Sequence, residues 1–287
     1  MAAGAIYGLF AIGVVLVYRG TGAINFAQGE IGTLGLFLAW WSVTEQGLPW
    51  IVGAILAIAF AAVVGAGFER FAIRPMVNAN RVAIAVATIG FLSLILAFEA
   101  KFFSPSPRVL PPPIEGVGVE IAGYFVSPTM WLSFAVVVAV SLGLGVVLRK
   151  TDFGLGVLAA AQDPAGARLM GVPFNRVSMF VWGTAAAISA LGALLIAPTL
   201  GAFAPGFVSL LFLKGLAAAV VGGLGSMSGA IVGGIAVGII EVWVKDIFGG
   251  VTLPGVDVLV VFGVILLVLI LRPGGLLAGL KVREAGA

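Results

Sequence analysis

Long apolar runs, separated by short polar breaks, fill most of the chain. A helix rises about 1.5 Å per residue, so about 20 apolar residues are needed to cross the roughly 30 Å hydrocarbon core of a bilayer. The pattern contains nine runs near this length and predicts a transmembrane helix for each. The second is short, which favours a tilted, re-entrant or broken span. The nine runs are 2–18, 31–44, 50–68, 82–103, 129–148, 178–197, 207–223, 228–244 and 255–271.

Composition agrees with this pattern. Hydrophobic residues make up 61% of the chain and charged residues 9%, with a mean hydropathy of +1.22, whereas about a quarter of a soluble domain is charged. We therefore predict an all-α polytopic membrane protein in contact with lipid rather than nucleic acid, with residues 1–287 as one membrane domain. The sequence contains no cysteine and no histidine, which excludes disulfides and the usual soft-metal sites.

The distribution of lysine and arginine predicts orientation, because cytoplasmic loops retain these residues. With the loop 149–177 inside, eleven of them lie inside, three (Lys101, Arg108 and Lys245) lie outside, and Lys214 lies within a span. This asymmetry predicts nine spans with the N-terminus outside and the C-terminus in the cytoplasm. The inside set is Arg19, Arg70, Arg74, Arg81, Arg149, Lys150, Arg168, Arg176, Arg272, Lys281 and Arg283.

This orientation places the loop 104–128 outside. It begins SPSPRVLPPP, and proline at this density excludes a regular helix. We expect an extended cover over the outer surface, and the acidic Glu115 and Glu120 agree with that location.

A polar cytoplasmic stretch, AQDPAGARLMGVPFNRV at 161–177, interrupts the apolar pattern. Asp163 and Pro164 are typical of an N-cap and first helical position. Gly171 suits the position after a helix, and Pro173 prevents continuation. The stretch therefore predicts a short helix from Pro164 to Met170.

Residues 153–162 predict a second short helix ahead of it. Leu169 and Met170 form an apolar tip, while Arg168 and Arg176 supply positive charge. Two interpretations fit these residues. The tip can enter a groove on a partner protein, or the helix can rest on anionic lipid headgroups.

The stretch TDFGLGVLAAAQDPAGARLMGVPFNRV resembles the cytoplasmic loop of ABC importer permeases of the LivH branched-chain amino acid family. Three further stretches resemble the same family in order and spacing: YGLFAIGVVLVYRGTGAINFAQGEIGTLG, RPMVNANRVAIAVATIGFLSLIL and KGLAAAVVGGLGSMSGAIVGGIAVGIIE. The resemblance implies a permease subunit, not an enzyme, that forms half of a pathway for branched-chain amino acids or a related small polar solute.

Several partners follow from this resemblance. It implies two ABC ATPase subunits that carry ATP and Mg²⁺, no cofactor on this chain, a second LivM-like permease, and an extracytoplasmic solute-binding protein. It also implies location in a bacterial or archaeal cytoplasmic (inner) membrane. The residues it assigns to ATPase coupling are Asp163, Pro164, Ala167, Arg168, Leu169, Met170 and Gly171.

The glycine-rich stretch GGLGSMSGA at 222–230 invites a nucleotide-binding interpretation. It lacks the Lys-Ser/Thr pair of a phosphate-binding loop and follows no predicted strand. We predict instead a tight cytoplasmic hairpin with closely packed helices, because small residues four apart allow backbones to approach. The packing glycines are Gly225, Gly229, Gly233, Gly234 and Gly238.

Candidate pathway or gating residues cluster in GAINFAQGE at 22–30, ahead of the short second span. Asn25, Gln28 and Glu30 fit either a pathway role or a helix cap at the cytoplasmic surface. Thr88 in the fourth span can line a polar path or bond to its own helix.

Lys214 lies eight residues into the seventh apolar run, deeper than its side chain comfortably reaches to water. It can face the pathway and attract a substrate carboxylate, or pair with Glu241 or Glu99. It is interfacial if its helix instead begins near Phe212.

Two other classes of protein compete with the importer subunit. A stand-alone channel or ion-coupled secondary transporter predicts inverted repeats or several titratable residues deep in the spans, and the sequence shows no clear repeat. A membrane-embedded enzyme requires a constellation of acids, bases or nucleophiles, and none is apparent in the sequence.

Overall fold

The computed structural model describes residues 2–76, 79–103, 105–121, 124–162, 164–248 and 256–271. Helices occupy all nine predicted apolar runs, and two short helices lie between the fifth and sixth of them. The α-helices of the described residues are α1 Ala2–Thr21, α2 Gln28–Trp40, α3 Trp50–Phe68, α4 Arg81–Phe102, α5 Pro128–Lys150, α6 Asp152–Gln162, α7 Pro164–Leu169, α8 Phe174–Leu200, α9 Phe207–Gly222, α10 Met227–Phe248 and α11 Val256–Leu271.

Six helices in the described part of the chain are long and apolar enough to cross a membrane: α1, α3 with its extension, α4, α5, α8 and α10. The class of polytopic α-helical membrane protein is therefore confirmed. The helix α2 has 13 residues and continues as a π-helical turn, Trp41–Glu45. The helix α3 continues as a π-helical turn, Glu69–Ile73, and a 3₁₀ turn, Arg74–Met76.

Local capping sets where the peripheral helices begin. Asn80 Oδ1 accepts the backbone N–H of Ala83 at 2.7 Å at the start of α4. Ser127 Oγ accepts the N–H of Met130 at 3.3 Å at the start of α5, where Pro128 occupies the first turn. Both contacts satisfy backbone donors that lack a partner at a helix N-terminus.

The centre of the molecule is formed by α1 and α8, which are mostly buried, whereas α4 and α5 expose most of their surface. The helix α1 packs against α8, α9 and α10, and α2 lies between α3, α8 and α9. A Cβ at Gly234 would overlap the backbone of Gly8, and one at Gly238 would overlap Gly4. These glycines therefore let α1 and α10 approach at backbone distance.

The other predicted packing glycines lie at the α9–α10 hairpin. A Cβ at Gly229 would overlap Gly222, and one at Gly233 would overlap Ala218. The prediction is wrong for Gly225, which lies in the turn between the helices and would meet no atom within 4 Å if it carried a Cβ.

A short antiparallel pair, β1 Val119–Ile121 and β2 Tyr124–Val126, lies in the predicted external loop. The alternating pattern there is too short to have predicted strands. Before it, the proline-rich segment is free of regular helix among its described residues, as expected, and Pro111 O accepts Trp50 Nε1 at 3.2 Å.

Candidate functional site

The connection between α1 and α2 enters the interior of the protein. The helix α1 ends at Thr21, and Gly22 adopts φ +70°, which turns the chain back. Gln28 Nε2 then donates to Phe10 O at 3.4 Å, and Phe10 is the ninth of the twenty residues of α1. The start of α2 therefore lies beside the middle of α1.

This geometry decides between the two interpretations of residues 22–30. A cap at the cytoplasmic surface would lie at the end of α1 and would be exposed, but Asn25, Gln28 and Glu30 are at most 1% exposed. The surface-cap interpretation is wrong because the chain folds back before α2 begins. Irregular backbone at such a place is tolerated where protein or a water-filled cavity satisfies its polar groups.

The re-entrant backbone is satisfied by a few specific contacts. Asn25 Oδ1 accepts the N–H of Ala27 at 3.0 Å, and Asn25 O accepts the N–H of Gln28 at 3.3 Å. Thr88 Oγ1 accepts the N–H of Phe26 at 3.3 Å and donates to Ala85 O at 2.7 Å. Thr88 therefore bonds to its own helix and to the re-entrant segment at once.

Glu30 is the acidic residue of the first turn of α2. Ser209 Oγ at the start of α9 donates to Glu30 Oε1, and the carboxyl group of Glu99 on α4 faces Glu30 and the backbone N–H of Gly206. Glu30 and Glu99 are fully buried. Buried carboxyl groups within a membrane domain are costly and mark functional positions by default.

The sequence did not predict this acidic pair. The sequence pattern indicates Glu99 only as a partner of Lys214 and gives no signal for Ser209. The available signal was that two carboxyl groups occur inside apolar helices, which by itself does not tell which helices face each other.

Unpaired polar atoms collect around the start of α2. Within the described residues, Asn25 Nδ2, Gln28 Oε1 and Glu30 Oε2 are buried and make no hydrogen bond. Such groups are rare in a finished interior. The structure thus brings Asn25, Gln28, Glu30 and Thr88 together at the broken start of α2. Three of these side chains have a polar atom without a hydrogen bond.

Lys214 belongs to a different set of contacts. Its Nζ lies 3.0 Å from Glu241 Oε1, and Tyr7 donates to Glu241 Oε2 at 2.6 Å. Because α9 begins at Phe207, the interpretation that Lys214 is interfacial is wrong. The residue pairs with Glu241, one of its two predicted partners, and the contacts join α1, α9 and α10.

The cytoplasmic segment contains the helix α7, Pro164–Leu169. It ends one residue earlier than predicted, because Gly171 has φ +81° and the N–H of Val172 bonds to Ala167 O at 3.0 Å, a Schellman closure. Ala167 is buried, whereas Leu169 is 89% and Met170 85% exposed. Asp163 and the side chains of Pro164 and Arg168 lie outside the described residues.

An ion pair near this segment was not predicted. Arg74 Nη2 lies 2.7 Å from Glu69 Oε2 and donates to Asn175 O at 3.1 Å. The pair ties the end of α3 to the first turn of α8, directly after the α7 segment.

These features define a class of protein. Buried polar side chains at a broken helix, inside a bundle of membrane-spanning helices, are the arrangement of a membrane transport protein. The fold is similar to that of PsaBC from Streptococcus pneumoniae, solved in complex with a Fab, with a TM-score of 0.51 at 16% identity over 93% of this chain and 88% of that chain.

The family model described as branched-chain amino acid transport system / permease component matches residues 1–270, and the chain belongs to this family. It is 32% identical to the high-affinity branched-chain amino acid transport system permease protein BraD of Pseudomonas aeruginosa, over 98% of this chain and 94% of that protein. It is 28% identical to LivH of Escherichia coli over the same shares. The probable LivH of Methanocaldococcus jannaschii is 26% identical over 81% of this chain and 75% of its own length.

The predicted family is thereby confirmed, and the chain is a multi-pass permease of the cytoplasmic membrane.

Proposed function

We propose that this chain is the permease subunit of an ATP-driven importer and forms half of the pathway for branched-chain amino acids or a closely related small polar solute. The observation that carries the proposal is the similarity to BraD along 98% of the chain. The exposed apolar tip of α7 supports it, because a permease without its own nucleotide site needs a surface that receives force from an ATPase.

The loop 149–177 is built for that role. Val157 and Ala160 of α6 and Ala167 of α7 are buried, and α6 packs against α1, α5 and α8. Leu169 and Met170 therefore project from a supported base. We propose that the ATPase subunits, two in the complex and carrying ATP and Mg²⁺, bind this tip and the residues Asp163 to Gly171 around it.

The remaining partners follow from the proposed importer. One chain supplies half a pathway, so a second, LivM-like permease completes it, and an extracytoplasmic solute-binding protein delivers the solute. The pathway side of this chain contains Asn25, Gln28, Glu30 and Thr88. The unpaired polar atoms of Asn25, Gln28 and Glu30 can bond to a polar solute. We assign Lys214 to the ion pair with Glu241 rather than to solute binding.

A paired variant tests the coupling tip. Replacing Leu169 and Met170 by Glu should abolish co-purification of the ATPase subunits in detergent and lower ATP-driven uptake at least about tenfold, since two central apolar anchors carry roughly 2–4 kcal/mol. Val117→Glu is the matched control, because Val117 is 92% exposed in the external loop. Retained ATPase binding in the double variant would contradict docking and favour a helix that rests on lipid.

The same assay tests the function as a whole. Uptake should require the ATPases, the second permease and the binding protein together. Full uptake by the purified chain alone would reject the importer and favour a stand-alone channel or secondary transporter.

We further propose nine crossings, an external N-terminus and a cytoplasmic C-terminus, with the loop 104–128 outside. The chain has no native cysteine, so single cysteines at Glu45, Arg70, Glu115 and Arg176 report sidedness directly. Glu45 and Glu115 should react with an impermeant maleimide in intact cells, and Arg70 and Arg176 only after permeabilisation. Labelling of positions 45 and 70 from the same side would refute a crossing by α3.

A further inference from the structure

The proline-rich external segment is fastened to the connection between α8 and α9. Arg108 N–H donates to Phe203 O at 2.8 Å, and Phe203 N–H donates to Arg108 O at 2.9 Å. Arg108 and Phe203 form an isolated antiparallel β-bridge. In the described residues it is the one such backbone pairing outside the β1–β2 hairpin. Two reciprocal bonds hold the loop at one defined point.

The side chain of Arg108 adds two further attachments. Its Nη2 donates to Phe103 O at 3.2 Å at the end of α4, and its guanidinium lies 4.4 Å from the ring centroid of Trp40 at the end of α2. A cation over an aromatic face contributes about 0.5–2 kcal/mol. Arg108 thus joins α2, α4 and the α8–α9 connection.

An aromatic stack lies under this junction. The rings of Phe37 and Phe103 are stacked at 4.4 Å, and Phe203 meets Phe37 edge-on at 5.1 Å. Phe207 contacts Phe203 edge-on at 6.0 Å. Phe37 and Phe203 are at most 2% exposed and Phe103 is half-buried, so the three rings form an apolar seal that is buried on its inner side.

The seal lies about one helical turn from Glu99 and about two from Glu30. Phe103 caps the C-terminus of α4 four residues after Glu99, and Glu30 and Phe37 are seven residues apart on α2, so each acid shares a helix face with a ring. The two faces meet twice, at Glu30 with Glu99 and at Phe37 with Phe103. The acids therefore lie directly behind the seal.

We propose that the stack of Phe37, Phe103 and Phe203 is the outer gate of the pathway and that Arg108 is the positioning residue that latches it shut. This inference rests on the proposed importer function. Opening requires the end of α4 and the Phe203 connection to separate, which breaks the Arg108 contacts and lets solute reach Glu30 and Glu99 from outside.

The packing of α4 suits a moving gate element. The helix exposes most of its surface in this chain. Among the described residues, its polar and aromatic contacts to the rest are Thr88 to Phe26, the stack of Phe91 on Phe68 at 4.0 Å, and the Glu99 and Phe103 contacts. A helix held at separate points can swing about one of them when another is released.

A disulfide can lock the gate. In an antiparallel pair that exchanges both backbone bonds the Cα atoms lie about 5.5 Å apart, within the range of about 4.4–6.8 Å that a disulfide needs. Arg108→Cys with Phe203→Cys, in a chain without native cysteine, should therefore crosslink on oxidation. In the fully assembled importer in proteoliposomes, the oxidised double variant should take up solute about tenfold or more slowly than the same variant kept reduced, because the gate must open in each cycle. Both states lack the Arg108 guanidinium and the Phe203 ring, so the comparison isolates the crosslink.

The reduced double variant is its own control for folding, and the two single variants control for oxidation elsewhere. Unchanged uptake by the oxidised, crosslinked protein would overturn the gate while leaving the importer intact. Absence of ATP-driven uptake in the wild-type chain would instead reject the proposed function on which the gate depends.

A second measurement does not depend on crosslinking. Thr33 lies between Glu30 and Phe37 on the same helix face and is fully buried, so Thr33→Cys reports access behind the seal. Arg108→Ala should raise its labelling rate by an external impermeant maleimide about tenfold, whereas Arg108→Lys, which keeps the cation over Trp40, should raise it less. Equal labelling in all three backgrounds would refute the latch.

Discussion

The buried ion pair between Lys214 and Glu241 makes the sharpest energetic prediction. Both side chains are 7% exposed and their charged atoms lie 3.0 Å apart. Lys214→Met leaves the Glu241 carboxylate buried, with its Tyr7 bond but without the Lys214 ammonium group. Removal of one partner of such a pair costs about 3–5 kcal/mol, because the remaining charge stays desolvated after it loses that ion-pair contact. We expect the lower end, about 3 kcal/mol, since the 2.6 Å bond from Tyr7 remains.

The double variant separates the pair from its surroundings. In Lys214→Met with Glu241→Leu no charge of the pair is left buried, so it should be more stable than either single variant, with a coupling energy of about 2–3 kcal/mol. The Tyr7 hydroxyl loses Glu241 both in Glu241→Leu and in the double variant, so this loss cancels in the cycle.

The assay is unfolding in mixed micelles with increasing SDS, followed by the fluorescence of the six tryptophans. Additive destabilisation, with the double variant as unstable as the sum of the singles, would refute the pair. Uptake by the same variants adds an independent check: a stable double variant that fails to transport would restore the alternative that Lys214 attracts a substrate carboxylate.

Three further predictions concern packing, the ion pair near the α7 segment and capping. Gly234→Ala should prevent stable assembly of α1 with α10, because its Cβ would overlap Gly8, whereas Gly225→Ala, with open space around it, should express and melt like the wild type; equal thermal stability of the two variants would contradict this packing. Arg74→Ala should destabilise the chain by about 1–3 kcal/mol, because Glu69 is 2% exposed, and Arg70→Ala, an exposed neighbour, should change little in the same SDS titration. Asn80→Ala should cost about 1 kcal/mol through loss of the cap on Ala83, while Asn80→Asp should retain that stability; an equal loss in both would show that the cap does not act through its side-chain oxygen.

Much of the architecture was readable from local features of the sequence. The nine apolar runs became helices because their length and composition suit no other structure in a bilayer. The C-terminal end of α7 was predictable for a similar reason. A glycine at position 171, which can adopt positive φ, and a proline at position 173 act on the residues next to them. The π-helical extensions of α2 and α3 carried no such signal.

The site depended on contacts that no local pattern encodes. Lys214 and Glu241 are 27 residues apart, Glu30 and Ser209 are 179 apart, and Tyr7 and Glu241 are 234 apart. The sequence showed that each polar residue lies in an apolar setting and so needs a partner. Which partner it meets is decided by how the helices pack.

The stretch GAINFAQGE shows the division most clearly. Its composition determined that a polar break precedes a short helix, since Gly22, Asn25 and Gln28 do not continue an apolar span. Only the tertiary structure decided that the break folds back beside Phe10 and becomes interior. The reason is that the depth of a loop is set by the helices around it, here α1, α4 and α9, whereas capping and hydrophobicity act over a few residues.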